Sequence, residues 1–114
     1  MYKFSYEETL SDSAGRKREN ERLAIEQSVS MLRSAEKAGA NSREAVDAIC
    51  FLNRLWSFLL EDLVKPENAL PDDIRANLIS IGIWMLKEAD AISSGKSKNF
   101  AGLIDVSSVI AEGL

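Results

Sequence analysis

Side chains that commonly carry enzyme chemistry are sparse in this chain. It has no histidine and a single cysteine, so the commonest general base is missing and a zinc site lacks ligands. The adjacent carboxylates Glu61 and Asp62 come closest to a reactive pair, yet neighbouring helical residues point in different directions. Catalysis would require one of them to be buried without a cationic partner. We therefore expect no enzyme, no metal and no cofactor.

Large apolar side chains offer a different chemistry, the recognition of an amphipathic helix. Trp56, Phe58, Trp84 and Met85 each have two interpretations, a place in the core or a place on a partner-binding surface. We expect at least one of the four to line a partner site. The candidate partner-binding residues are Trp56, Phe58 and Leu59, then Ile83, Trp84 and Met85, with Tyr2, Phe4 and Tyr6 as a cover.

The positions of these residues depend on where the helices begin and end, which capping residues, prolines and glycines indicate. With only two prolines and no alternating stretch, the sequence predicts helices throughout. We predict an all-α, single-domain antiparallel helical bundle of three long helices plus a shorter C-terminal helix, with the second and third helices central. The predicted helices run from Asp12 or Ser13 to Gly39, from the cap Ser42 to about Val64, from Pro71 to Ser93-Ser94-Gly95, and from the cap Asn99 through Glu112.

Residues 1–114 are predicted to form one domain, in which residues 1–11 are an N-terminal arm. The arm either lies extended across the bundle or waits for a partner. Cys50 lies in an apolar run and is predicted to be a core thiol. Gly82, in the middle of a helix, predicts a close helix crossing or the approach of a partner's backbone.

Bulk composition limits the partners. The 114 residues are 46% hydrophobic and 28% charged, with a net charge of −4 and an isoelectric point near 4.9. A negative chain does not attract phosphates, so we expect no direct contact with nucleic acid and none with a membrane. The start resembles no signal peptide, and no apolar run could span a bilayer, so we expect a cytoplasmic protein. Surplus apolar surface also permits weak self-association.

Several segments of the chain are distinctive in combination and order. They are Met1 to Tyr6, Asn41 to Val46, Asn99 to Ile104, and the stretch RLWSFLLEDLVKPENALPDDIRANLISIGIWMLKEAD, which starts at Arg54. Over essentially its whole length the chain resembles the flagellar biosynthesis regulator FlaF family of alphaproteobacteria.

That resemblance implies a role in flagellin supply, alongside the translational regulator FlbT. One hypothesis is an export chaperone that binds the amphipathic terminal helices of flagellin and prevents their self-association. The alternative is a post-transcriptional regulator that acts through FlbT or flagellin mRNA without chaperoning flagellin. Negative charge disfavours direct RNA contact, whereas sequestration of FlbT stays compatible with the sequence.

Overall fold

A computed structural model describes the backbone of residues 6–114 and the side chains of residues 15–114. Helices account for most of this part, and no strand occurs within it, which confirms the predicted fold class. Across the same residues, none of the helices combines the length and the apolar character that a bilayer crossing requires. The helices are α1 (Tyr6–Ala38), α2 (Arg43–Leu63), α3 (Asp72–Ser93) and α4 (Phe100–Gly113).

Local side-chain chemistry sets most helix ends where the sequence predicts them. Ser42 Oγ accepts a hydrogen bond from the Ala45 amide at 3.1 Å and caps α2. Asn99 Oδ1 accepts one from the Gly102 amide at 3.0 Å and caps α4. Beyond α1 and α3, Gly39 and Gly95 adopt φ values of 101° and 76°, which glycine reaches without the strain other residues incur.

The start of α1 differs from the prediction. The helix begins at Tyr6, so the predicted caps Asp12 and Ser13 lie inside it. Glutamate, leucine and alanine favour helix strongly enough that a possible cap residue can be passed over. Of the predicted cover, Tyr2 and Phe4 lie outside the described residues, and only the backbone of Tyr6 is described.

The helices pack in an unequal pattern. Helix α1 packs along both α2 and α4, whereas α3 packs mainly on α2. The prediction that α2 and α3 are both central is therefore wrong for α3, because its apolar character lies largely on half-exposed flanks. Helices α1 and α2 form the central pair, and α3 and α4 occupy the two outer positions.

One continuous core joins all four helices. Its largest fully buried side chains include Trp56, Leu52, Leu32, Met85 and Leu103. Small side chains on all four helices complete it and allow the helix axes to approach closely. These small core residues are Ala35, Ala45, Ala48, Ala89 and Ala111.

Helix α3 lies close against α2 at Gly82. A Cβ atom at this position would lie 2.7 Å from Leu60 Cδ2 and 2.8 Å from Trp56 Cε3. Of the two explanations for a mid-helix glycine, the structure therefore supports the close helix crossing.

Cys50 is exposed, so the prediction of a core thiol is wrong. Its neighbours Ile49 and Leu52 are buried. A helix turns about 100° per residue, so a run of consecutive apolar residues reaches every side of α2, and Cys50 falls on its outer face.

Gly82→Leu is expected to lower the free energy of unfolding by at least about 2 kcal/mol, because overpacking of a well-filled contact costs about 1–3 kcal/mol even for smaller insertions. Gly82→Ala tests the same contact with one methyl group. Its matched control is Gly15→Ala, where the added Cβ would meet no atom within 4 Å. The control should gain up to about 1 kcal/mol from helix propensity, and Gly82→Ala should fall well below it in urea unfolding. Equal effects of the two alanines would contradict the close crossing.

Candidate partner-binding site

The predicted residues of α2 and α3 fall into two environments. Trp56, Leu59 and Met85 belong to the core, with exposed fractions of 2%, 8% and 0%. Phe58, Ile83 and Trp84 are exposed at 65%, 46% and 37%. A partner could therefore reach the second group directly, and the first only through an opening in the core.

Such an opening exists at one end of the bundle. A cavity of about 300 Å³ lies where the end of α2, the turn at residues 67–70, the first half of α3 and the end of α4 meet the middle of α1. This arrangement also shows that successive helices run in opposite directions. The apolar walls of the cavity include Ile25, Trp56, Leu59, Leu63, Leu78 and Ile110. The volume is at the lower end of the roughly 300–1,000 Å³ typical of ligand pockets.

The cavity lies between α3 and α4, since Leu78 of α3 and Ile110 of α4 both line it. The two helices are joined by the short turn at residues 94–99, yet they do not pack along each other as the other neighbours do. We call this gap the α3–α4 cleft. By helical spacing, its walls are Ile74, Leu78 and Ile81 on α3, and Val106, Val109 and Ile110 on α4.

Exposure along the cleft is highest at its rim. Ile74 is 43% exposed and Val109 is 68% exposed, whereas Leu78, Ile81, Val106 and Ile110 are half-buried. Trp84 lies three residues after Ile81 and therefore adjoins the same wall. The cleft thus combines a buried aromatic floor at Trp56 with accessible aliphatic edges.

Polar contacts hold the mouth of the cavity in place. Lys17 Nζ lies 2.8 Å from Asp62 Oδ2 and links α1 to the end of α2. Asn68 Nδ2 donates to the same oxygen at 3.1 Å. Arg75 donates from Nε to the Leu63 carbonyl at 3.0 Å and from a terminal nitrogen to the Lys65 carbonyl at 3.2 Å. The bond to Leu63 satisfies a carbonyl at the end of α2 that has no partner within that helix, and the bond to Lys65 holds the turn that follows.

Two carboxyl groups of the cavity lining have pKa values shifted in opposite directions. The hydrogen bond from Lys17 lowers the pKa of Asp62 below its ordinary value, and the same bond raises the pKa of Lys17. Glu21 faces the cavity from α1, and partial burial raises its pKa. Lys17 pairs across to α2, whereas Arg22 pairs along α1 with Glu19 and Glu26.

Neither carboxylate at the end of α2 is both buried and without a cationic partner. Asp62 has Lys17 as a cationic partner, and Glu61 is exposed. Within residues 15–114, no group of three or more acidic, cysteine or histidine side chains is placed to hold a metal ion.

A second apolar surface lies in the groove between α1 and α2. Phe58 lies at its edge, with Leu55 beside it on α2 and Asn20 and Ala24 across from it on α1. Ile83 faces away from both surfaces, on the flank of α3 that carries Ile79. The exposed residues of the predicted set are therefore not brought together at one place.

Comparison with known protein families identifies the family to which this chain belongs. The family model described as "Flagellar protein FlaF" matches residues 2–114. The chain belongs to the FlaF family. No curated protein matches this FlaF-family chain, and no solved structure matches it.

Several residues of the cleft were absent from the predicted set. Leu78 and Ile110 are half-buried cavity residues, and Ile74 and Val109 are exposed rim residues. The apolar residues of the last helix were the available signal in the sequence, because α4 carries more of them than its contact with α1 covers. The spacing of apolar residues in the sequence did not show that α3 would leave this apolar surface of α4 uncovered.

Two substitutions at the cavity mouth should change stability in opposite directions at pH 7. Asp62→Asn should lower the free energy of unfolding by less than about 1 kcal/mol, the usual limit for an exposed ion pair. Glu21→Gln should raise it, because burial disfavours the charged form of Glu21 in the folded protein.

The pH dependence follows from the two shifts. The folded-state pKa of Asp62 is depressed, so its contribution is present above its ordinary value of 3.8 and is lost as the pH falls through the folded-state value. The pKa of Glu21 is raised, so its stabilising contribution is present below its ordinary value of 4.5 and is lost as the pH rises through the folded-state value. Both variants should therefore approach the parent near pH 3 in urea unfolding. Changes of the same sign at pH 7 would contradict these assignments.

Proposed function

We propose that this chain binds flagellin and acts as its export chaperone in the cytoplasm, and thereby supports flagellin production. Membership of the FlaF family supplies the flagellar context. The observation that carries the proposal is the accessible apolar surface, because a domain with no partner tends to close such openings. Among residues 15–114, nine large apolar side chains are exposed, Phe58 and Trp84 among them.

The chemistry of that surface suits an amphipathic helix. Such a helix places apolar residues at every third or fourth position into a groove and leaves its polar face in water. Trp84, which adjoins the α3 wall of the cleft, offers a large contact area at a small cost in side-chain entropy. The terminal helices of flagellin have this amphipathic character, and a bound chaperone would keep them from associating with one another before export.

A regulatory role through FlbT is the alternative, and the same surface would serve it. Direct contact with flagellin mRNA is less favourable, because the chain carries a net charge of −4 and RNA binding depends on basic residues. We propose no catalytic activity, since the best-placed carboxylate, Asp62, is held by Lys17.

Size-exclusion chromatography with light scattering tests the proposal. The purified chain should form a one-to-one complex with its cognate flagellin at micromolar concentrations. FlbT in place of flagellin is the parallel sample. Failure to co-elute with flagellin well above micromolar concentration would overturn the chaperone role, and a complex with FlbT alone would favour the regulatory alternative.

A further inference from the structure

We infer that the Lys17–Asp62 ion pair is a latch on the side of the cavity that faces the α1–α2 groove, and that its release joins the cavity and the groove into one apolar channel from Phe58 to Trp56. The inference goes beyond the proposed function, because it concerns how the cavity is closed in the free chain and does not depend on which partner binds. The arguments are the side chains that the two spaces share, the bonds that hold each half of the ion pair, and the burial of α1.

Three side chains separate the cavity from the α1–α2 groove. Lys17, Glu21 and Leu59 line both spaces. Trp56 lines the cavity and is 2% exposed, whereas Phe58 lines the groove and is 65% exposed. A buried and an exposed aromatic ring of the same helix therefore belong to two neighbouring apolar spaces, with one wall of side chains between them.

The two halves of the ion pair are held unequally. Asn68 donates from Nδ2 to Asp62 Oδ2 at 3.1 Å and to the Asp62 carbonyl at 3.3 Å, so the turn after α2 keeps Asp62 in place. Lys17 Nζ approaches the same Oδ2 at 2.8 Å from α1. Among the side chains of residues 15–114, Asp62 is the only carboxylate within ion-pair distance of Lys17. Lys17 is therefore the half that can move.

Little buried packing supports the ion pair on the α1 side. The side chains of Lys17 and Asp62 are 52% and 27% exposed, so water and salt compete with their bond. Residues 15–20 are all exposed, and Ile25 is the first buried side chain of the described part of α1. About two helical turns separate it from Lys17. At this end of the bundle, the ion pair therefore does much to set how closely α1 lies against α2.

Release of Lys17 would create a second entrance to the cavity. The wall that remains consists of Glu21 and Leu59. An apolar group resting beside Phe58 in the groove would then reach Trp56 without passing between α3 and α4. The cavity thus has one entrance that is open in this structure and another that the ion pair closes.

Acrylamide quenching of Trp56 fluorescence tests the latch. The chain has two tryptophans, so Trp84→Phe leaves Trp56 as the only one and serves as the reference chain. An exposed ion pair favours its closed geometry by up to about fivefold, so Asp62→Asn and Lys17→Ala should each raise the quenching constant about two- to fivefold. Added sodium chloride should raise the constant of the reference chain and leave that of both variants unchanged.

Arg16→Ala and Arg18→Ala are the matched controls. Each removes one positive charge from the same turn of α1 as Lys17→Ala does. Of the two spaces, Arg16 lines only the groove and Arg18 lines only the cavity. Both controls should leave the quenching constant unchanged, and Lys17→Arg, which keeps a cation opposite Asp62, should stay near the reference chain. Equal rises for all three alanines would assign the effect to lost charge or bulk and overturn the latch.

A filled groove tests the route by which acrylamide enters. Ala24 lines the groove and is not part of the cavity lining. Ala24→Leu, added to Lys17→Ala, should return the quenching constant of Trp56 to the reference level, because the larger side chain blocks the path from Phe58. A constant that stays raised would place the route between α3 and α4 and overturn the channel.

Unfolding is kept apart from release of the latch by circular dichroism and urea unfolding of every variant. If Lys17→Ala does not fold, Asp62→Asn and the salt response of the reference chain decide the test. A quenching constant that responds to neither of them would overturn the inference.

Discussion

The contact of α3 with α2 at Gly82 is the constraint on which the rest of the structure depends. Without a side chain, Gly82 allows α3 to approach Trp56 and Leu60 at distances that no Cβ would tolerate. This holds α3 against α2 and not against α4. Trp56 is part of both the core and the cavity, since it is only 2% exposed and also lines the cavity.

An array held together in this way leaves apolar surface that its own helices do not cover. The polar contacts at the open end, from Lys17 to Asp62 and from Arg75 to the last carbonyls of α2, fix the mouth without filling it. Flagellar context and apolar access together support the proposal that this protein holds a helix of another protein.

Helix ends could be predicted from the sequence because they depend on local chemistry, as Ser42, Asn99, Gly39 and Gly95 show. Tertiary placement could not. Trp56 and Phe58 are only two residues apart in the same apolar run, yet Trp56 is buried and Phe58 is 65% exposed. Apolar residues cover most of the circumference of α2, and the side that becomes buried is the one that the neighbouring helices contact. The same ambiguity misplaced Cys50 and made α3 appear central, and the cleft requires knowledge of which helices pair.

Amide hydrogen exchange of the chain with and without flagellin tests the central claim most directly, because protection reports which helices a partner covers. The account predicts increased protection in α3 around residues 74–84 and in α4 around residues 103–113, with little change near Phe58. Protection confined to α1 and α2 along the Phe58 groove, with α3 and α4 unchanged, would contradict it.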